Sequence, residues 1–471
     1  LFEKFLFVRH NLGFYNNVGS TATYHHPSST TLLQDIVFHA LSQVINQHPI
    51  LSAIPLEENK KTIYFVRLPT IDLSKCVYFV ERQTPIPREG ETDEELDKIL
   101  EEQHNKDFKD EIGSKPFWRL IILSSLSSTN SFSASWIFDH SLADGTSGFV
   151  FHHSFLAALR NIPSDLLNVD PVVEPPKTDL VPTLEDLHKL PLSFMYLAKV
   201  QWYEWFPKKQ PRVWTGSLIS FDPTKGATMR YKTIVLSAEA TKQLLNLSRE
   251  NKTTLTATMQ CVIAASIFLN LDPARYDALH AGGTMSCRRF VDMPEQYGHI
   301  DDAIGTWVSP YSFEHKRRTV PQNAEKTNNV LNFFDWDEAR SVRATITNEI
   351  SKNLKDNVVN LLRWVPDLSA LFYSRIGKKR TESFELSNVT AFNKGKAQSE
   401  DGWKVGRCVF SQCVAVPGPV IECSAVGGGD GTLSIGFTWL EGVVDNVWME
   451  SVMNGVREGL VGLTRKGYEI K

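Results

Sequence analysis

A change of hydrophobic period around His140 constrains this chain more than any other feature. Phe132, Ala134, Trp136 and Phe138 share one parity, the period-two signature of a buried strand face, and His140 continues that parity where the strand stops. Beyond it the period turns helical. Phe149, Val150, Phe155, Leu156 and Leu159 form an apolar stripe between Gly145 and Arg160, and Asp144 stands where it caps the first turn. An imidazole held between the end of a strand and the start of a helix can enter a cleft while its backbone stays fixed. That placement suits a general base.

The surrounding pattern predicts an α/β chain in two parts. In the first, an amphipathic helix over Leu32 to Gln47 precedes strands at Ile63 to Val66 and Val77 to Val80. An acidic helix over Asp93 to His104 and strands at Phe117 to Leu123 and Ser131 to His140 follow. Prolines then crowd the chain up to Pro211, around an aromatic cluster of Trp202, Tyr203, Trp205 and Phe206 that reads as packing. The second part predicts strands at Tyr231 to Leu236, Ala278 to Ser286, Ile304 to Phe313, Phe384 to Thr390, Val405 to Ala415, Val420 to Val426 and Leu433 to Trp439. Helices are expected over Ala238 to Arg249, Thr254 to Leu269, parts of Gln322 to Tyr373 and Asp445 to Leu463. The division expected is 1–160, a crossover over 161–215, and 216–471, since 471 residues with 42% hydrophobic content exceed one ordinary core.

Composition excludes several classes of function. Lys and Arg number 50 against 54 Asp and Glu, which leaves no electrostatic footprint for nucleic acid. Six scattered cysteines, Cys76, Cys261, Cys287, Cys408, Cys413 and Cys423, lack any C-x-x-C pair and read as reduced residues of a cytoplasmic protein. No run approaches the roughly 18 apolar residues of a membrane span. The chain opens on Leu1, so a preceding segment would be the place for targeting or peripheral membrane attachment. The pairs His25–His26 and His152–His153 have no companion ligands at metal spacing, and no metal is expected. Gly427 to Gly431 lies between two strands and reads as a hairpin turn, not a phosphate cradle.

The hexad H-x-x-x-D-G from His140 to Gly145 is accompanied by Gln47-His48-Pro49-Ile50-Leu51-Ser52-Ala53, by Ser286-Cys287-Arg288-Arg289 followed by Pro294, and by Gly305-Thr306-Trp307-Val308-Ser309. Leu386-Ser387-Asn388-Val389-Thr390 and Phe437-Thr438-Trp439-Leu440-Glu441-Gly442 complete the set. In this order the segments resemble the CoA-dependent acyltransferases, which include chloramphenicol acetyltransferase, the plant BAHD enzymes and the condensation domains of peptide synthetases. Within that superfamily the likeness is to the fungal alcohol O-acetyltransferases, and it runs over most of the chain. Two departures stand out. Asp139 occupies the place of the second histidine of condensation domains, which argues against amide formation, and the D-F-G-W-G signature of the plant branch is absent.

The resemblance implies two like-folded domains with mixed sheets flanked by helices, an active-site channel at their interface, and CoA and an alcohol entering from opposite faces. Acetyl-CoA is the expected co-substrate, with no tightly bound cofactor, and a monomer is expected. His140 would take the hydroxyl proton and return it to the leaving thiolate, because imidazole titrates near neutrality. Asp144 could orient that imidazole; the resemblance implies instead that it turns away and pairs with Arg288 or Arg289. Gly145 serves backbone geometry where a side chain would crowd the site. Ser387, Asn388 and Thr390 lie on a strand resembling one that lines the channel, and Trp307 and Trp439 are candidate walls or core residues. The competing readings are an N-acyltransferase, a hydrolase using Ser147, and a catalytically silent binding module.

Overall fold

A computed structural model describes residues 1–26, 32–57, 63–125, 128–163, 165–206, 212–224, 226–319, 329–393 and 402–465. Two mixed sheets organise it. The first places its strands in the order Lys404–Gln412, Val18–His25, Ser128–Phe138, Trp118–Ser125, Val77–Glu81, antiparallel except for the last pair. The second runs Val308–Lys316, Ala278–Ser286, Phe384–Ala391, Ile421–Gly427, Leu433–Leu440, Met229–Leu236, with the central pairings parallel. Helices flank both sheets.

Each sheet is held by its own apolar core. Trp136 is fully buried and stacks on Phe151, ring centroids 4.5 Å apart, so the strand before the hexad grips the helix Gly145–Arg160 after it. In the second core Leu433, Ile435, Phe437 and Trp439 point one way from their strand. They meet the helices Leu255–Leu269 and Asn446–Thr464, of which the first is buried on nearly every side. Helix starts follow the expected chemistry. Asp93, Asp144, Ser237, Thr254 and Asp445 each accept a backbone N–H of the first turn.

Several elements depart from expectation. Lys404–Gln412 belongs to the second part in sequence yet pairs with Val18–His25 at the edge of the first sheet, so the chain crosses back over the seam. Val18–His25 itself, and the helix Phe2–Asn11 before it, escape a reading based on apolar periodicity. The proline-rich stretch contains a helix, Phe194–Trp205. Its aromatics enter no core: Trp202 and Phe206 pack on each other, ring centroids 4.5 Å apart, and Trp202, Trp205 and Phe206 are 58%, 68% and 57% exposed. Pro207 and Pro211 lie outside the described residues, as does Gln322. The strand expected from Ile304 begins only at Val308, because the Gly305 carbonyl accepts from Asp144 N and Trp307 N donates to the Asp144 carboxylate. Among the described residues no single helix is long and apolar enough to cross a membrane.

Candidate active site

The hexad turns between Phe138 and Gly145, and His140 sits two residues beyond the strand's end. Its Nδ1 lies 3.0 Å from the carbonyl oxygen of Ala143. A carbonyl can only accept, so Nδ1 carries the proton in the neutral ring and Nε2 presents its lone pair. Burial, reinforced by the positive charge of Arg9, pushes the imidazole down to about 4. At neutral pH His140 is therefore an uncharged acceptor. Tyr15 flanks it, ring centroids 5.9 Å apart, and Thr306 Oγ1 donates to its backbone carbonyl at 3.2 Å.

Asp144 faces away from the imidazole. Its Oδ1 accepts from Ser147 N at 2.8 Å, Ser147 Oγ at 2.9 Å and Arg288 Nη2 at 3.2 Å, while Oδ2 accepts from Trp307 N at 3.1 Å. The carboxylate is wholly buried. It caps one lobe's helix and docks the other lobe's loop at once, and it is the Ala143 carbonyl that orients His140. The choice between the two arginines is resolved by burial. Arg288 is 4% exposed, bonds Ala303 O at 2.9 Å and lies over the Trp307 ring at 4.7 Å, whereas Arg289 is exposed and takes no part.

Gly145 is required by space. A Cβ there would stand 2.4 Å from Val389 Cγ1 and 2.9 Å from Phe410 Cζ. Ser147 is fully buried, and its hydroxyl is shared among Asp144, the Gly305 carbonyl at 2.8 Å, Gly305 N at 3.1 Å and Arg288 Nη2 at 3.0 Å. Such a hydroxyl is no nucleophile, which counts against the hydrolase reading.

The wall candidates divide. Ser387, hydrogen-bonded to Thr284 at 3.0 Å, shares its strand face with Val389 and so looks into the seam beside Gly145. Asn388 points the other way, donating to Thr256 of the helix Leu255–Leu269 at 2.9 Å. Thr390 is exposed with a left-handed φ of 71°. Trp439 belongs to the second core, its Nε1 donating to Asn446 at 2.9 Å. Trp307 is 1% exposed and packs with Leu184, Leu190 and Cys287. Both tryptophans are packed in apolar clusters.

Asp139, in the place of a second histidine, is buried and accepts from Ser141 N at 2.8 Å, with His10 Nδ1 3.5 Å away. All six cysteines are free and buried. Cys261, His315 and Glu338 gather donor atoms within 4.8 Å of one another; His315 Nδ1 already lies 3.0 Å from Glu338, and its Nε2 lies 3.1 Å from Gln260. A separate cleft of about 820 Å³, lined by Leu12, Asn16, Lys75, Arg119 and Phe221 among others, holds no residue of the hexad. Arg9 and Tyr15 are the site residues that sequence reasoning missed, for they lie in a stretch with no motif and no clear period.

The fold and the hexad define a CoA-dependent acyltransferase. The chain belongs to the alcohol acetyltransferase family, which it matches over residues 1–453, and is thus an enzyme that moves an acyl group from CoA to an alcohol. It is 36% identical over 460 residues, 95% of each chain, to an Aspergillus fumigatus protein named "Probable alcohol acetyltransferase crmB". The trichothecene 15-O-acetyltransferase TRI3 of Fusarium sporotrichioides shares its fold with a TM-score of 0.68 at 12% identity, covering 98% of this chain and 93% of that one. The first condensation domain of the calcium-dependent antibiotic synthetase does so with a TM-score of 0.61 at 13% identity, covering 98% and 94%.

Proposed function

We propose that the protein acetylates a hydroxyl of a small secondary metabolite by direct transfer from acetyl-CoA, with His140 as general base. The observation that carries this reading is the Nδ1–H to Ala143 carbonyl bond, which leaves Nε2 free beside the seam. Nε2 takes the hydroxyl proton as the oxygen attacks the thioester carbonyl carbon. The tetrahedral intermediate then collapses, the C–S bond breaks, and the proton passes from Nε2 to the departing sulfur, giving the acetyl ester and free CoA thiol. Units 1–160 and 216–471, joined by 161–215, would bring the two substrates to this base, with the strand Lys404–Gln412 tying them together. The unpaired cysteines favour a reducing compartment, the cytoplasm.

The test is thiol release from acetyl-CoA with and without an alcohol. His140→Ala is expected to lower turnover by about 10²- to 10⁴-fold with acetyl-CoA affinity nearly unchanged. Near-native turnover in that variant would overturn the assignment.

A further inference from the structure

The face of the second sheet turned toward the first is polar where its other face is core. Phe384, Leu386, Ile421 and Cys423 fill the second core, so strand alternation turns Glu385 and Glu422 into the seam. The two glutamates are direct neighbours across adjacent parallel strands. Gln412, from the edge of the first sheet, donates to Glu422 Oε1 at 3.2 Å and shows that this face meets the other lobe. Among the described residues Glu385 takes no such bond; burial lifts its carboxyl above the usual range against the opposing pull of Arg9. Glu382, packed over Gly282, adds a third carboxyl pushed up to about 8 by burial and then by Glu385.

The same strand leads to the base. Val389, on the face of Glu385, abuts Gly145 and lies four residues away, roughly 13 Å along the strand. Tyr15 approaches from the other side. Its ring neighbours His140, the Arg9 guanidinium sits 3.8 Å above it, and Val416 N donates to Phe14 O at 2.9 Å, which ties this stretch to the turn leading into Ile421–Gly427. Tyr15 is 5% exposed. Burial raises its pKa and Arg9 opposes; Val18, three residues further on, pairs with Gln412, whose amide reaches Glu422, which brings this stretch to the same seam.

A plain hydrocarbon acceptor would displace water from these seam-facing polar groups without replacing its hydrogen bonds. We propose that Glu385, Glu422 and Tyr15 form an acceptor subsite for hydroxyl groups other than the one being acetylated, so that the acceptor is a polyhydroxylated small molecule and not a simple alkanol. Arg9 already supplies positive charge there, which favours neutral hydroxyl donors over an ammonium group. The proposal rests on the reading of His140 as the base.

The test compares two six-carbon acceptors, 1-hexanol and 1,2,6-hexanetriol, with acetyl-CoA and the full chain. The triol is expected to exceed 1-hexanol in kcat/KM by about tenfold or more. Glu385→Leu and Glu422→Leu are expected to remove that advantage by raising the triol KM, with the KM for acetyl-CoA unchanged, and Glu385→Gln, which keeps an accepting oxygen, to retain part of it. A wild-type enzyme that leaves the triol unacetylated or favours 1-hexanol overturns the subsite, as does an equal loss on both acceptors in the variants. Slow hydrolysis of acetyl-CoA by water, measured without any alcohol in wild type and His140→Ala, reports on the base separately. If that hydrolysis depends on His140 while the triol has no advantage, only the subsite falls.

Discussion

Replacing Asp144 by asparagine isolates the charge of the buried carboxylate, because asparagine caps a helix about as well as aspartate. Four donors converge on the two oxygens: Ser147 N, Ser147 Oγ and Arg288 Nη2 on one, Trp307 N on the other. An amide offers one accepting oxygen and an NH2 that only donates, so whichever way it turns, that NH2 faces at least one other donor, and Arg288 keeps a buried charge without its counter-charge. Breaking a buried pair from one side costs about 3–5 kcal/mol. Unfolding entropy of about 2.1 cal/mol/K per residue gives about 1 kcal/mol/K for a chain of this length, so Tm should fall by about 3–5 °C. Calorimetry on wild type, Asp144→Asn, Arg288→Met and the double variant measures this, with the double variant losing less than the two singles together. An Asp144→Asn enzyme that melts within about 1 °C of wild type yet has no turnover would refute the reasoning, because the carboxylate would then act on His140 itself.

The pH profile follows from the same geometry. On the proposed reading of His140 as base, the ring works only when neutral, and its pKa is held near 4, so kcat/KM should stay level as pH falls from 8 to about 5 and be halved near 4. Arg9→Met removes a charge that lowers this pKa and should move the acid limb upward toward 6.5; a wild-type limb at 6.5 would mean that the ring is hydrated like a free imidazole. Because the Ser147 hydroxyl is fully engaged, double-reciprocal plots at varied alcohol should intersect, and mass spectrometry after incubation with acetyl-CoA alone should find no acyl group on Ser147. An adduct there would restore the acyl-enzyme route.

The hexad was legible because two periods collide at it: the helix Gly145–Arg160 and its Asp144 cap fall where the stripe put them. Choosing between Arg288 and Arg289 was beyond the sequence, since adjacent residues of one type differ only in which way the short helical turn Arg288–Phe290 points them. Val18–His25 was hidden for another reason. It lies in the first sheet between Ser128–Phe138 and Lys404–Gln412, and its buried Ser20 and Thr21 break the apolar alternation that marks a half-buried strand. Glu385 and Glu422 look like ordinary charged residues 37 positions apart until strand register sets them side by side. The exposed aromatics of Phe194–Trp205 show the opposite failure, where apolar character alone suggested packing that tertiary structure does not supply.

On the reading of His140 as base, its low pKa has two consequences that pull against each other. A weakly basic imidazole removes the hydroxyl proton less readily, so much of the rate must come from holding alcohol and thioester together. Once protonated, however, it is a strong acid facing a departing thiolate whose ordinary pKa is near 8.5, and the second proton transfer runs downhill. An aspartate on Nδ1 would reverse this balance by stabilising the imidazolium, whereas the Ala143 carbonyl fixes the tautomer without adding a charge. Arg9, stacked on Tyr15, moves the balance further toward the acid. Asp144 is thereby left for a different task, joining the helix that follows the base to Arg288 and Trp307 across the seam, so that the position of Nε2 depends on both lobes staying docked.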